Sequence, residues 1–126
     1  MKKKIAIIED NRDNRLLLTA ILSPMYEVHE YVNGIDGLQG IGVNLPDLIL
    51  LDISLPLLDG IEILRRIKEN PNYTMPIIAS TAHAMKEHRD YYLQQGFDDY
   101  IAKPIIDFKS FRTTIAHWID RVGSCA

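Results

Sequence analysis

LILLDISLP, residues 48–56, decides the fold. Four apolar residues, Leu48 to Leu51, run without a polar break and stop at Asp52. A short solid apolar run is what a strand covered on both faces of a parallel sheet requires, because a half-buried strand alternates apolar and polar residues. A carboxylate at the end of so buried a strand is costly unless charged or hydrogen-bonding partners meet it. The spacing of the remaining polar residues has to supply those partners.

Short apolar runs alternate with longer segments of helical period on both sides of this stretch, the pattern of five strand and helix units around a parallel sheet. Lys4 to Glu9 reads as the first strand, and Asn11 to Leu22 as a helix with Leu16, Leu17, Thr19, Ala20 and Ile21 on its apolar face. Glu27 to Val32 alternates, which suits a strand nearer the sheet edge, and Asn33-Gly34 ends it. Residues 35–43 should form a second, weak helix, since Gly37, Gly40 and Gly42 each cost about 1 kcal/mol against alanine in a helix interior. Asp59 can cap a third helix that turns Ile61, Ile63, Leu64 and Ile67 inward, and Pro71 follows its end. Ile77 to Thr81 is the fourth strand, and a helix from His83 to Gln95 stops at Gly96, a residue suited to a left-handed helix end. Tyr100 to Lys103 is the fifth strand, and Phe108 to Val122 the last helix, with Phe111, Ile115, Trp118, Ile119 and Val122 at helical spacing.

Composition narrows the function. A chain of 126 residues with 47% hydrophobic content buries one sizeable core, so a single domain over 1–126 is expected. A net charge of −3 with scattered Lys and Arg gives no basic field, which sets direct nucleic-acid binding aside. The opening MKKKIAII imitates a signal peptide, but Glu9 and Asp10 cut its apolar stretch short, and no later run could span a bilayer. The lone Cys125 cannot close a disulfide within the chain, which fits a reducing, cytoplasmic setting. The sequon Asn72-Tyr73-Thr74 is then a chance match.

The polar exceptions share one location. Glu9 and Asp10 end strand one, Asp52 strand three, Thr81 strand four and Lys103 strand five. In an open parallel sheet the carboxyl ends lie along one edge, where ligands bind at the point of strand-order reversal. Carboxylates within about 4 Å of each other repel by roughly 1 kcal/mol per pair in water and about 4 kcal/mol at a surface-like dielectric. Three of them call for a cation, and hard oxygen donors suit Mg²⁺, whereas Cys125 and the dispersed His29, His83, His88 and His117 offer no zinc-like spacing. Lys103 adds an ammonium and Thr81 a hydroxyl, completing the parts that stabilise phosphoryl oxygens during transfer.

Glu9-Asp10, Asp52, Thr81-Ala82 and Lys103-Pro104, together with Leu55-Pro56, Asp59-Gly60 and STAHAM at 80–85, resemble the receiver domain of bacterial two-component response regulators, of the single-domain CheY-like type. The resemblance spans nearly the whole chain. It implies an α/β fold, a flavodoxin-like doubly wound five-stranded parallel sheet of strand order 2-1-3-4-5 with five helices. It identifies Asp52 as the phosphoacceptor, loaded from a phosphohistidine on a sensor histidine kinase or histidine phosphotransfer protein. By the same resemblance Asp10, Asp52 and the backbone carbonyl of Ser54 ligate Mg²⁺ directly, Glu9 acts through water, and Lys103 pairs with the phosphoryl group. The Lys103-Pro104 peptide is usually cis in this family. Thr81 would move to the phosphate and Tyr100 turn inward behind it, switching the surface of the fourth helix, fifth strand and fifth helix for a downstream protein target. Such a protein is a monomer or a phosphorylation-dependent dimer, and its catalysis is confined to its own phosphotransfer and slow autodephosphorylation.

Each residue also has a plainer reading. Asp59 reads as a helix cap, Glu9 and Asp10 as solvated strand-end carboxylates, and Thr81 and Tyr100 as ordinary strand residues; nothing but the family pattern prefers Thr81 to Ser80. His83 and His88 read as surface residues, with His83 two positions past Thr81 as a candidate tuner of phosphoryl lifetime. The glycine-rich second helix departs from the family pattern and is expected to be short, displaced or mobile, and Glu9 replaces the commoner aspartate. With four residues beyond the last helix, 123–126, output is expected to come from another protein. The rivals are a haloacid-dehalogenase-type phosphatase, disfavoured because Ser54 replaces its second aspartate, and a flavodoxin, disfavoured by the acidic 10–13 loop. A phosphate-independent pseudo-receiver and a receiver excised from a hybrid histidine kinase complete the alternatives.

Overall fold

Strand and helix alternate along the chain in the order β1 (Lys4–Ile8), α1 (Arg12–Leu22), β2 (Glu27–Tyr31), α2 (Gly34–Val43), β3 (Leu48–Asp52), α3 (Gly60–Lys68), β4 (Ile77–Thr81), α4 (Lys86–Gln95), β5 (Asp99–Ala102) and α5 (Phe108–Ser124). The computed structural model describes residues 2–55, 58–82 and 86–124; Pro56, His83, Ala84, Met85 and Cys125, and the side chain of Val122, lie outside them.

The strands form one parallel sheet in the order β2-β1-β3-β4-β5. Order reverses between β1 and β3, which creates the crevice of a doubly wound fold. The pleat divides the apolar residues between two faces. Ala6, Ile8, Ile49, Leu51, Ile77 and Ala79 pack with Ile41 of α2, Ile63, Leu64 and Ile67 of α3 and Tyr92 of α4. Ile5, Ile7, Leu48, Leu50, Ile78 and Ile101 pack instead with Leu18, Ile21 and Leu22 of α1 and Phe111, Ile115 and Ile119 of α5. Helices on both faces explain why β3 is buried at every position, while no residue of the edge strand β2 is fully buried.

Register then aligns the polar strand ends. Ile8 pairs with Leu51, so Glu9 comes level with Asp52; Asp52 pairs with Ser80, and Thr81 with Ala102, one residue before Lys103.

Several sequence expectations need correction. On α1 the buried residues are Leu18, Ile21 and Leu22, whereas Leu16 is 50% exposed and Ala20 faces solvent. The expected set occupied neighbouring positions, which a 3.6-residue period distributes around the helix, while 18, 21 and 22 share one stripe.

The second helix is neither short nor displaced. It runs from Gly34 to Val43 against β1 and β2, and the Asn33 side chain accepts from the Asp36 amide at its start. Its glycines allow that approach: a Cβ on Gly37 would stand 2.6 Å from Ile8 Cδ1, and one on Gly40 2.0 Å from the Tyr31 ring. Beyond these, β5 begins at Asp99 and ends at Ala102, one residue earlier than its reading, because Asp99 takes a ladder position opposite Ile78 although aspartate is rare in strands. The strands β1 and β2 likewise end one residue short, at Ile8 and Tyr31.

Candidate functional site

The carboxyl edge of the sheet gathers the charged residues. Glu9 and Asp52 are 1% and 2% exposed, and Asp10 beside them faces solvent. One carboxylate oxygen from each of Glu9, Asp10 and Asp52 lies within 4.8 Å of the other two. Lys103 Nζ bridges the buried pair, 3.2 Å from Glu9 Oε1 and 3.2 Å from Asp52 Oδ1. Backbone amides complete the anchoring: Ser54 N–H donates to Asp52 Oδ1 at 3.0 Å and Asn11 N–H to Glu9 Oε2 at 3.3 Å.

These partners split the acidities of the two carboxyls. Burial, the hydrogen bond to Asp52 and the Asp52 charge push Glu9 up to about 7. Burial works against ionisation of Asp52 as well, but the Glu9 hydrogen bond, the Ser54 amide and the Lys103 ammonium together hold it below the usual aspartate range. Burial disfavours the Lys103 charge, and the Asp52 and Glu9 carboxylates outweigh it, raising the ammonium above its usual value. Burial and the Asp52 charge thus make Glu9 the harder of the two carboxyls to ionise, and the site without metal favours the Asp52 carboxylate. An ionised, partly desolvated carboxylate is what nucleophilic attack on phosphorus needs. The three hard oxygen donors, one of them open to solvent, fit a Mg²⁺ ion.

Thr81 is buried at the end of β4, and its hydroxyl lies 3.2 Å from the Tyr92 hydroxyl of α4. The Lys103 amide donates to the Thr81 carbonyl at 2.7 Å, which ties the ends of β4 and β5 together. Tyr100 is half-buried against the core with the Arg89 guanidinium 5.8 Å above its ring. The Lys103-Pro104 peptide is cis, as the resemblance implied. Asp59 caps α3 by accepting from the Glu62 amide at 2.9 Å and takes no place among the clustered carboxylates. Gly60 behind it lets the chain pass close to β3, since a Cβ there would stand 2.7 Å from the Asp52 carbonyl oxygen and force the backbone to shift.

The sequence reading missed two residues at this edge. Tyr92 reaches Thr81 from the far side of the β4–α4 connection, a contact no local spacing reveals. Arg15 donates to the carbonyl oxygens of Glu9 and Asp10 at 3.0 and 3.4 Å. Its signal was available: a cation close to the N-terminus of a helix opposes the dipole and has to be held by something else.

The response regulator receiver domain profile matches residues 5–116. The chain is 37% identical over 107 residues to the polar-differentiation response regulator DivK of Brucella anthropi, an alignment covering 83% of this chain and 87% of that one. It is also 33% identical to hybrid signal transduction histidine kinase I of Dictyostelium discoideum, where 94% of this chain matches 8% of the larger protein. Among solved structures, it superposes with TM-score 0.84 and 34% identity on the receiver domain of a Pseudomonas aeruginosa sensor histidine kinase that has a magnesium ion coordinated in its active-site cleft, covering 95% and 99% of the two chains. A CheY-like receiver domain protein of Methanospirillum hungatei gives TM-score 0.86 at 29% identity with full coverage of both chains.

Proposed function

The chain belongs to the response regulator receiver domain family of two-component signalling, and from that premise we propose that Asp52 is its phosphoacceptor, loaded from a phosphohistidine. The observation that carries this reading is the buried Asp52 carboxylate at the end of β3, with Lys103 Nζ 3.2 Å away and Glu9 and Asp10 beside it. An Asp52 oxygen attacks phosphorus; the P–O bond forms as the P–N bond breaks, and the electron pair of the broken bond stays on the imidazole nitrogen. Lys103, which pairs with Asp52 in the resting protein, transfers its pairing to a phosphoryl oxygen. Asp10, Asp52 and the Ser54 backbone carbonyl would hold Mg²⁺, with Glu9 acting through water, and the ion would neutralise charge on the phosphoryl group.

Thr81 turns its hydroxyl from Tyr92 to the phosphoryl group, and Tyr100 follows into the space behind it, so the α4–β5–α5 surface reports the charge at Asp52. Upstream the partner is a sensor histidine kinase or histidine phosphotransfer protein, and downstream a protein target. The chain catalyses its own loading and slow hydrolysis and turns over no separate substrate. No helix among the described residues is long and apolar enough to cross a membrane, and we place the domain in the cytoplasm with its kinase.

Intact-mass spectrometry after incubation with acetyl phosphate tests the reading. One phosphoryl adduct that requires Mg²⁺ and disappears in Asp52→Asn is the expected result. No adduct under any condition would sink it and leave a phosphate-independent interaction module.

A further inference from the structure

Arg15 follows the first turn of α1, yet its side chain is only 16% exposed. One guanidinium nitrogen, Nη1, donates to the carbonyl oxygens of Glu9 and Asp10, and Nε pairs with Glu30 Oε1 of β2 at 3.2 Å. The same short loop is tied elsewhere through the Glu9 amide to the Tyr31 carbonyl at 3.0 Å and the Asn11 amide to Glu9 Oε2. Arginine suits this place because a rigid planar fork can serve several acceptors at once, which a lysine ammonium on a flexible stem cannot do with the same order.

We infer that Arg15 is the positioning residue of the acidic pocket: by joining the Glu9 and Asp10 carbonyls to Glu30, it sets the direction of both carboxylates and thereby the affinity for a divalent cation. The inference rests on the metal role proposed for Glu9, Asp10 and Asp52. A cation beside a cation pocket would by itself weaken metal binding. Glu30 removes that objection, since its carboxylate neutralises the guanidinium and leaves its hydrogen-bonding geometry in place. The edge strand β2 thus contributes to the site through a residue that touches no ligand. Groups that orient metal ligands typically change affinity by about 10- to 100-fold when removed.

Titration of the intact protein with Mg²⁺, by calorimetry, tests this in four proteins beside wild type: Arg15→Met, Arg15→Lys, Glu30→Gln and the Arg15→Met/Glu30→Gln double variant. Circular-dichroism melting in EDTA checks folding of each. Arg15→Met should raise the Mg²⁺ dissociation constant about tenfold, despite removing a positive charge, and Arg15→Lys should recover only part of the loss. Glu30→Gln should weaken binding about threefold, and add nothing further in the Arg15→Met background, because its effect runs through the guanidinium. A folded Arg15→Met protein that binds Mg²⁺ as tightly as wild type overturns the inference. Additive losses overturn it too, since they make Glu30 a separate long-range charge. If Arg15→Met does not fold, unchanged affinity in both Glu30→Gln and Arg15→Lys has the same force. Wild-type protein that fails to bind Mg²⁺ overturns the metal reading itself, a result separable from all of these.

Discussion

Glu9 and Asp52 meet the same ammonium and the same burial, and still titrate in opposite directions. Glu9 moves from its usual 4.5 to about 7, while Asp52 moves below its usual 3.8. The consequences for stability have opposite signs. Between pH 4.5 and about 7 the unfolded chain ionises Glu9 while the folded protein keeps the proton, so the folded state loses ground as pH rises through that window. Asp52 contributes stability above pH 3.8 that is lost as pH falls through its depressed folded value. For the protein in EDTA, melting curves from pH 3 to 8 are therefore expected to show stability rising to a maximum around pH 4 and declining to about 7. A Glu9→Gln variant should lose the decline and keep the rise; a decline that survives in Glu9→Gln would contradict the assignment. Residue-scale chemistry was only partly legible in the sequence. The carboxylates and Lys103 stood out because charges seldom end buried strands, but Thr81 could not be told from Ser80. The pleat separates them: Thr81 points with Ala79 toward the α2, α3 and α4 face, where Tyr92 meets it, and Ser80 points to the opposite side, its hydroxyl without a partner among the described residues.

The second helix shows how an element can look weak by composition and sit firmly by packing. Gly37 faces Ile8, which is fully buried and has nowhere to move, and Gly40 faces the Tyr31 ring. Gly42 differs, since a Cβ there would make an ordinary 3.7 Å contact with the Tyr73 hydroxyl. Gly42→Ala is thus expected to stabilise the protein by about 0.5–1 kcal/mol by recovering helix propensity. Gly37→Ala should destabilise by about 1–3 kcal/mol through overpacking. Urea unfolding with an unchanged slope measures both, and the same sign for the two substitutions would contradict the packing account. The sequence could state the propensity cost of these glycines, but not which of them abuts a strand, because that depends on how α2 crosses β1 and β2. Near the site the same logic applies to Gly60, whose neighbour is the Asp52 backbone itself. Gly60→Ala should cost about 1–3 kcal/mol and, on the proposed role of Asp52, slow its acetyl-phosphate labelling as well, since overpacking there shifts the backbone at the end of β3.

Across the whole molecule, alternation of apolar runs and helical periods was enough to place every element, while the ends of β1, β2 and β5 moved by one residue where polar residues adjoin the apolar run. Strand order was carried by the family resemblance, since nothing in the apolar runs themselves says that β1 lies between β2 and β3. The α1 face was misread where consecutive apolar residues concealed the true stripe, and the Arg15–Glu30 link was invisible because it crosses from α1 to β2 through tertiary structure. What the fold achieves as a unit is convergence: register alone brings Glu9, Asp52, Thr81 and Lys103 to one edge from four strands. The central claim is that this edge delivers a phosphoryl group to one carboxylate. Borohydride reduction of the acetyl-phosphate-treated, Mg²⁺-loaded protein, followed by peptide mass mapping, tests it most directly, because an acyl phosphate on aspartate is reduced to homoserine. The account predicts homoserine at position 52 and nowhere else; homoserine at Asp10 or any other position, or its absence from a protein that carries the adduct, would contradict it.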